Sequence, residues 1–298
     1  LDKMGWEIVS TGNTAKTLAE EGIAVIPVED ITHFPEILDG RVKTLSPYIF
    51  GGILFRREDP AHVETVAAQD IRPVDMVVNT LYPFAETVAD PNASEADIIE
   101  KIDIGGPSLI RAAAKNHKDV LIVTDPSQYE EVVEALQKEQ ADLSFRERLA
   151  RAAFQTTAVY EIAIANWFAD KTGDKSKWFG AFHQGEELRY GENPHQKGYV
   201  YRAEPKIPGG FGHMIQHQGK PLSYNNYNDA GFAMEAIKEF PDRPTAVAVK
   251  HANPCGVACA DSLLEAYAKC EAADPDSIFG GIVCVNEPVD EAVATAMR

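Results

Sequence analysis

Cysteine is scarce in this chain and absent from most of it. Of 298 residues only four are Cys, at positions 255, 259, 270 and 284. They are too few and too local for a disulfide framework and read as reduced thiols of a cytosolic protein. Positive charge is also short: 28 Lys and Arg face 46 Asp and Glu, a net charge of −18. That balance argues against non-specific binding to nucleic acid or an anionic membrane. No apolar run approaches the ~18 residues that span a bilayer. The opening Leu1-Asp2-Lys3-Met4-Gly5-Trp6 lacks a basic segment followed by an apolar core, so no signal peptide is expected. It also lacks an initiator Met, which predicts that residues precede it. No G-x-G-x-x-G follows a strand pattern, which disfavours a dinucleotide oxidoreductase. An acidic protein still binds phosphate where a few cations and backbone N–H groups converge. The informative question is where the cations gather.

Strand and helix patterns alternate along the first half, the mark of an α/β fold with a parallel sheet. Strands are expected at Glu7–Ser10, Ile23–Val28, Asp75–Asn79 and Val120–Thr124, and helices at Ala15–Glu21, Ser108–Asn116 and Ser127–Gln140. The stretch Phe145–Phe168 reads as two helices. The polar run Asp170–Lys177 has no apolar period and reads as a linker, dividing the chain into domains 1–175 and 176–298. Beyond it come a Gly-rich turn at Pro208-Gly209-Gly210, a helix over Ala230–Glu239, a buried strand Thr245–Val249, a helix Ser262–Ala272 and a strand Gly281–Val285. There is no internal repeat or low-complexity segment.

The densest polar motif follows the Thr245–Val249 strand. Lys250 and His251 stand side by side where that strand ends, and Asn253-Pro254 and Gly256 are expected to force a turn. Loops at strand ends are where α/β proteins place chemistry. A second cluster, Arg189-Tyr190-Gly191-Glu192-Asn193-Pro194-His195-Gln196, suits a polar, anionic ligand. In the first half, Ser10-Thr11-Gly12-Asn13-Thr14 joins a strand to a helix, offering hydroxyls and free N–H groups to a phosphate or simply capping the helix. Arg41 and Lys43, two apart, share one side of an extended segment. Tyr82 follows a strand in Leu81-Tyr82-Pro83-Phe84, as a proton donor or a packed ring. Asp103 precedes Gly105-Gly106 at a helix start, as an acid or a cap, and the helix carries Arg111 and Lys115 on one face.

Together these stretches resemble the AICAR transformylase/IMP cyclohydrolase family. The matching residues are Ser10-Thr11-Gly12, Gly40-Arg41-Val42-Lys43-Thr44-Leu45, Leu81-Tyr82-Pro83-Phe84, Ile102-Asp103-Ile104-Gly105-Gly106-Pro107 and Arg111 to His117. They continue with Arg189 to Gln196, Leu222-Ser223-Tyr224-Asn225-Asn226 and Lys250 to Gly256, in family order across nearly the whole chain. The resemblance implies an α/β protein: a methylglyoxal-synthase-like doubly wound domain, then the first part of a cytidine-deaminase-like αβα domain. It implies formyl transfer from 10-formyltetrahydrofolate to the amine of AICAR, then cyclisation of the product FAICAR to IMP with loss of water. By resemblance, Lys43, Tyr82, Asp103 and Lys115 carry the cyclisation, while Ser10, Thr11, Gly12, Thr14, Arg41 and Thr44 hold the ribotide. His251 is the general base of formyl transfer with Lys250 as its electrostatic partner, and Arg189, Tyr190, His195 and Asn226 bind AICAR. The folate is the co-substrate, no metal is required, and a cytoplasmic homodimer with no nucleic-acid or membrane partner is expected.

Some positions depart from the family. Asn13 stands where a second Gly is usual, and Asn tolerates φ > 0. Leu45-Ser46-Pro47-Tyr48-Ile49-Phe50-Gly51 lacks two imidazoles found there, and Thr80 replaces an Asn. The family's first strand, with a Ser/Lys turn, is expected to precede Leu1, and the later part of the transformylase domain to follow Arg298. On this reading the 298 residues alone have little transformylase activity. Two alternatives differ in class. A ligand-sensing methylglyoxal-synthase-like protein would keep the pocket without turnover. A zinc deaminase built on His251, Cys255 and Cys259 is opposed by the C-x₃-C spacing and the missing His-x-Glu.

Overall fold

The computed structural model describes residues 1–174, 176–204, 210–211 and 214–298. These form two compact units, Leu1–Phe179 and Gly180–Arg298. The expected turn at 208–210 falls mainly outside the described residues. Among the described residues no helix is long and apolar enough to cross a membrane.

In the first unit the order is β1 (Ile8–Ser10), α1 (Gly12–Glu20), β2 (Val25–Pro27), α2 (Val28–Thr32), α3 (Pro47–Leu54), α4 (Pro60–Ala68), β3 (Met76–Val78), α5 (Phe84–Ala89), α6 (Glu95–Glu100), α7 (Gly105–Lys115), β4 (Leu121–Val123), α8 (Tyr129–Gln137) and α9 (Leu143–Thr172). β1 pairs with β2 and β3 with β4, both in parallel. Among the described residues the two pairs are separate sheets rather than one doubly wound sheet. A cavity of about 810 Å³ is lined by residues of β1, β3 and β4. The core joins β4, all three of whose residues are buried, to α3, α7 and α9 through Ile53, Ile110, Ala113, Leu149 and Ala153.

Two local expectations change here. The 143–172 segment is one helix of 30 residues, not two. It contains no Pro or Gly, and the hydroxyls of Thr156 and Thr172 bond back to carbonyls four residues earlier, so nothing interrupts the ladder. The polar run that reads as a linker starts inside this helix, which stops at Gly173 in the left-handed conformation (φ 69).

The second unit holds β5 (Ala181–Glu187), β6 (Tyr199–Glu204), α10 (Tyr224–Ile237), β7 (Thr245–Lys250), β8 (Asn253–Cys259), α11 (Leu263–Ala273), α12 (Pro275–Ile278), β9 (Ile282–Val285) and α13 (Glu291–Ala296). β5 and β6 form an antiparallel ribbon, and β7 lies between β8 and β9, antiparallel to both. Alternation along β7 builds two cores. Val247 and Val249 pack with Ala233 and Ile237 of α10, while Ala246 and Ala248 pack with Ala266, Tyr267 and Cys270 of α11. The sheet is thus sandwiched between helices.

The turn after β7 is not where the Asn-Pro signal puts it. Asn253 and Pro254 already belong to β8, and the chain reverses at His251-Ala252. Pro is tolerated there because β8 is an edge strand and its register shifts beside Val249–Pro254.

Candidate active sites

The first unit has a cavity of about 570 Å³ lined by Thr11, Gly12, Thr14, Arg41, Lys43, Thr44, Tyr82 and Asp103, together with Asn79 and Glu100. Four separated segments therefore converge: the start of α1, the loop before α3, the loop before α5 and the loop leading into α7. Thr11 is the N-cap residue of α1 and its side chain makes no cap bond, leaving the first-turn N–H groups of α1 open toward an anion. Gly12 has φ 51, and an added Cβ would come within 3.4 Å of Lys43 Nζ. Backbone, hydroxyl and ammonium are thus packed at one wall.

Lys43 is mostly covered and its Nζ lies 3.4 Å from Glu36 Oε1. Arg41 is exposed and pairs with Glu100 at 2.6 Å. That bond and its charge hold the guanidinium above its ordinary pKa and the Glu100 carboxyl below its own.

Asp103 Oδ1 accepts the Gly106 N–H at 2.7 Å. Burial pushes the carboxyl above the usual range, outweighing the bonds from the Gly106 and Tyr82 N–H groups that act the other way. The Asp103 N–H donates to the Tyr160 hydroxyl at 2.8 Å, and that hydroxyl donates to the Lys101 carbonyl. A Cβ at Gly106 would stand 2.3 Å from Asp103 Oδ2, so any larger residue there must displace the Asp103 carboxyl. Tyr82 is half exposed, with Lys101 Nζ 5.9 Å from its ring centroid.

The structure does not bring every sequence candidate here. Ser10 lines the larger cavity instead. Lys115 is exposed in the last turn of α7 and lines neither cavity. Ten residues separate it from Gly105, roughly 15 Å along the helix axis. Arg111 lies over Phe154, 5.6 Å from the ring centroid. Ser46 is the N-cap of α3 and accepts the Tyr48 N–H at 3.3 Å.

Asn79 is a residue that the sequence reading missed. It ends the strand pattern before Thr80, lines both cavities, and its Oδ1 is a buried oxygen with no hydrogen-bond partner among the described residues. A polar residue closing an apolar strand is the signal that marks it.

In the second unit a cluster forms around the start of α10. The Tyr190 hydroxyl bonds to Ser223 and to Arg189, in that order of effect, and is held below its ordinary pKa. Arg189 stacks on the Tyr190 ring at 4.9 Å. Asn226 closes the capping box of α10 with Ser223, so its Oδ1 is committed. His195 is exposed on the turn that Asn193 and Gln196 hold together. Lys250 Nζ donates to the Phe279 carbonyl at 2.8 Å, and His251 is exposed on the β7–β8 turn.

The residues of the zinc alternative do not come together. His251 sits at one end of β8 and Cys259 at the other, roughly 20 Å apart along an extended strand. Cys259 Sγ accepts from the Thr245 hydroxyl at 3.1 Å. Among the described residues no group of three or more His, Cys, Asp or Glu is placed to hold a metal ion.

Comparison with known proteins gives two family models and a set of relatives. Residues 1–108 match the MGS-like domain, the class of fold to which the first cavity belongs. Residues 113–298 match the AICARFT/IMPCHase bienzyme model, and the chain belongs to that family. It is 49% identical to the bifunctional purine biosynthesis protein PurH of Shouchella clausii, with 100% of this chain and 59% of that protein covered. It is 48% identical to the protein of the same name from Lactobacillus acidophilus, with 99% and 58% covered. The chain thus spans less than two thirds of the length of these curated relatives. Among solved structures it resembles the crystal structure of ForH, with a TM-score of 0.51 and 33% identity over 56% of this chain and 86% of that one. The ligand-sensing alternative finds no support in these relatives.

Proposed function

We propose that the first unit performs the cyclisation of FAICAR to IMP and that the second binds AICAR and accepts its proton during formyl transfer. The observation that carries this reading is the convergence of Lys43, Tyr82 and Asp103, beside the N-terminus of α1, on one cavity of about 570 Å³. That volume lies in the usual range of about 300–1,000 Å³ for small-molecule sites. On this reading residues 1–175 are the cyclohydrolase domain and 176–298 the first part of a cytidine-deaminase-like transformylase domain.

The chemistry follows from the groups present. The ribotide phosphate seats on the open N–H groups of α1, with Thr11, Thr14 and Arg41 around it. The substrate's carboxamide nitrogen attacks its formyl carbon, forming a C–N bond, and charge grows on the formyl oxygen. The Lys43 ammonium stabilises that oxygen. The oxygen then leaves as water with two protons, one from the attacking amide and one from the formamide nitrogen. Asp103, as the carboxylate whose proton affinity burial raises, accepts the first and returns it to the departing oxygen. The second passes from the formamide nitrogen to the same oxygen as the water leaves, and Tyr82 orients the amide.

In the second unit the AICAR amine attacks the formyl carbon of 10-formyltetrahydrofolate; His251 accepts a proton from the amine and passes one to N10 as the bond from the formyl carbon to N10 breaks and tetrahydrofolate leaves. Lys250 supplies positive charge, and Arg189, Tyr190, His195 and Asn226 hold AICAR. Family membership supports the folate co-substrate, a homodimer and a cytoplasmic setting as parts of the same reading.

The test is conversion of FAICAR to IMP by the 298-residue chain, followed by ultraviolet absorbance, with IMP binding measured by calorimetry. Lys43→Met and Asp103→Asn are expected to lower turnover about 100-fold, and Arg41→Ala to weaken IMP binding. A folded chain that binds no IMP, or turnover unchanged in Asp103→Asn, overturns the reading.

A further inference from the structure

The turn that presents His251 holds a conformation its own residues disfavour. Lys250 pairs with Asn253, so His251 and Ala252 form the whole connection between β7 and β8. Both are left-handed, with φ 53 and φ 59. A two-residue hairpin turn with both central residues left-handed normally uses Asn-Gly or a similar pair, because a Cβ in that conformation crowds the neighbouring carbonyl. Neither residue here is Gly. Such backbone persists only where its surroundings over-determine it.

The structure shows what does so. Asp229 Oδ1 accepts the Ala252 N–H at 2.7 Å, across 23 residues of sequence. Within the turn, Asn253 Nδ2 donates to the His251 carbonyl at 2.9 Å. On the strand side, Lys250 is tied to Phe279. Of these tethers the one from Asp229 is charged, falls on the strained peptide itself, and comes from a rigid element. α10 is anchored through Ala233 and Ile237 against Val247 and Val249 of the strand that leads into the turn. One helical turn before Asp229, Asn226 closes the α10 cap beside Tyr190. The same helix therefore bears on both halves of the proposed AICAR site.

We infer that Asp229 is a positioning residue for His251: its carboxylate, carried on α10, holds the His251–Ala252 turn left-handed and so fixes where the imidazole stands. It need not touch substrate. The functional part of this inference rests on the proposed role of His251, whereas the conformational part stands on the turn alone.

The experiment uses the full 298-residue chain, isotopically labelled for nuclear magnetic resonance, as wild type, Asp229→Ala, Asp229→Asn and Asp229→Ala with Ala252→Gly. Three signals are read: exchange of the Ala252 amide, the HN–Hα couplings that report φ at 251 and 252, and the response of the His251 imidazole to added AICAR. Asp229→Ala is expected to speed Ala252 exchange at least about tenfold, as for loss of a hydrogen bond to a charged group. It is also expected to shift both couplings and blunt the imidazole response while the unfolding midpoint changes little. Asp229→Asn, which keeps an acceptor oxygen, stays close to wild type. The double variant regains the couplings and the imidazole response, because Gly adopts the left-handed form without a Cβ clash, while its residue-252 amide still exchanges fast.

Unchanged couplings in Asp229→Ala overturn the inference, as does a folded double variant that regains nothing. If Asp229→Ala fails to fold, a folded double variant supports the inference and an unfolded one overturns it. A wild-type imidazole that ignores AICAR sinks the formyl-transfer reading, and the couplings and exchange then decide the conformational claim by themselves.

Discussion

The Gly106 amide donates to Asp103 Oδ1 at 2.7 Å, so the carboxyl that lines the cavity of about 570 Å³ also satisfies a first-turn N–H of α7. Structure and chemistry make opposite demands on this group. Burial raises its pKa, so the folded state holds its proton more tightly than the unfolded chain does. The stability linked to that proton is complete below the ordinary carboxylate range and is lost as pH rises through the folded value. Asp103→Asn keeps an oxygen for the Gly106 N–H and removes the buried charge. It is expected to raise the melting temperature at pH 7, with the gain vanishing below the ordinary carboxylate range, while lowering FAICAR cyclisation about 100-fold. Thermal scans across pH with turnover alongside check both. A variant less stable at pH 7 would show that the charge, not the cap, sustains this loop.

Tyr160 locks the same loop from behind. Its hydroxyl accepts the Asp103 N–H and donates to the Lys101 carbonyl, and the ring is buried with Phe84, 6.1 Å away edge-on. Tyr160→Phe leaves the half-buried Asp103 N–H and the Lys101 carbonyl without this partner. The expected cost is about 1–3 kcal/mol in urea denaturation. Turnover should fall through kcat more than KM, since the carboxyl shifts while the phosphate contacts stay. An equal effect on both parameters would place Tyr160 outside the control of Asp103.

Arg41 reaches the cavity already paired with Glu100, both side chains more than half exposed. An exposed pair contributes little to stability, about 0–1 kcal/mol, yet it holds the cation away from a phosphate. Glu100→Gln is expected to leave the melting temperature unchanged and to tighten IMP binding a few-fold at low salt, with a steeper loss of affinity as salt rises. Calorimetry at two ionic strengths measures this. Weaker binding in the variant would mean that Glu100 steers Arg41 toward the ligand instead.

Much of this arrangement is legible in the sequence because it is local. The alternation of Thr245–Val249 foretells a buried strand, and Asp103 before Gly105-Gly106 foretells a cap at a helix start. Contacts made across the fold are not legible. Nothing near Asp229 announces a bond to Ala252. The i, i+4 spacing places Arg111 and Lys115 on one face, but it does not tell which end of the helix meets the cavity. Asn253-Pro254 misleads because turn chemistry and edge-strand chemistry use the same residues, and only the pairing of β8 with β7 separates them. The unbroken α9 is legible only in retrospect, through the lack of any residue that would end it.

Asn79 offers the last prediction. Its Oδ1 is buried at the cavity wall with no hydrogen-bond partner among the described residues, and a buried acceptor left unpaired costs about 1–3 kcal/mol. Replacing it by Leu, of similar shape, removes that cost, so Asn79→Leu is expected to stabilise the folded chain by on the order of 1 kcal/mol. The oxygen would gain a partner if a ligand brought an N–H donor to the wall, which on the proposed function is the IMP base. The same variant should therefore weaken IMP binding about tenfold, the factor for losing one net hydrogen bond. Urea denaturation and calorimetry measure the two effects on one sample. Gain of stability with loss of affinity is the signature of a polar group kept for its ligand, and loss of both would reduce Asn79 to a structural residue.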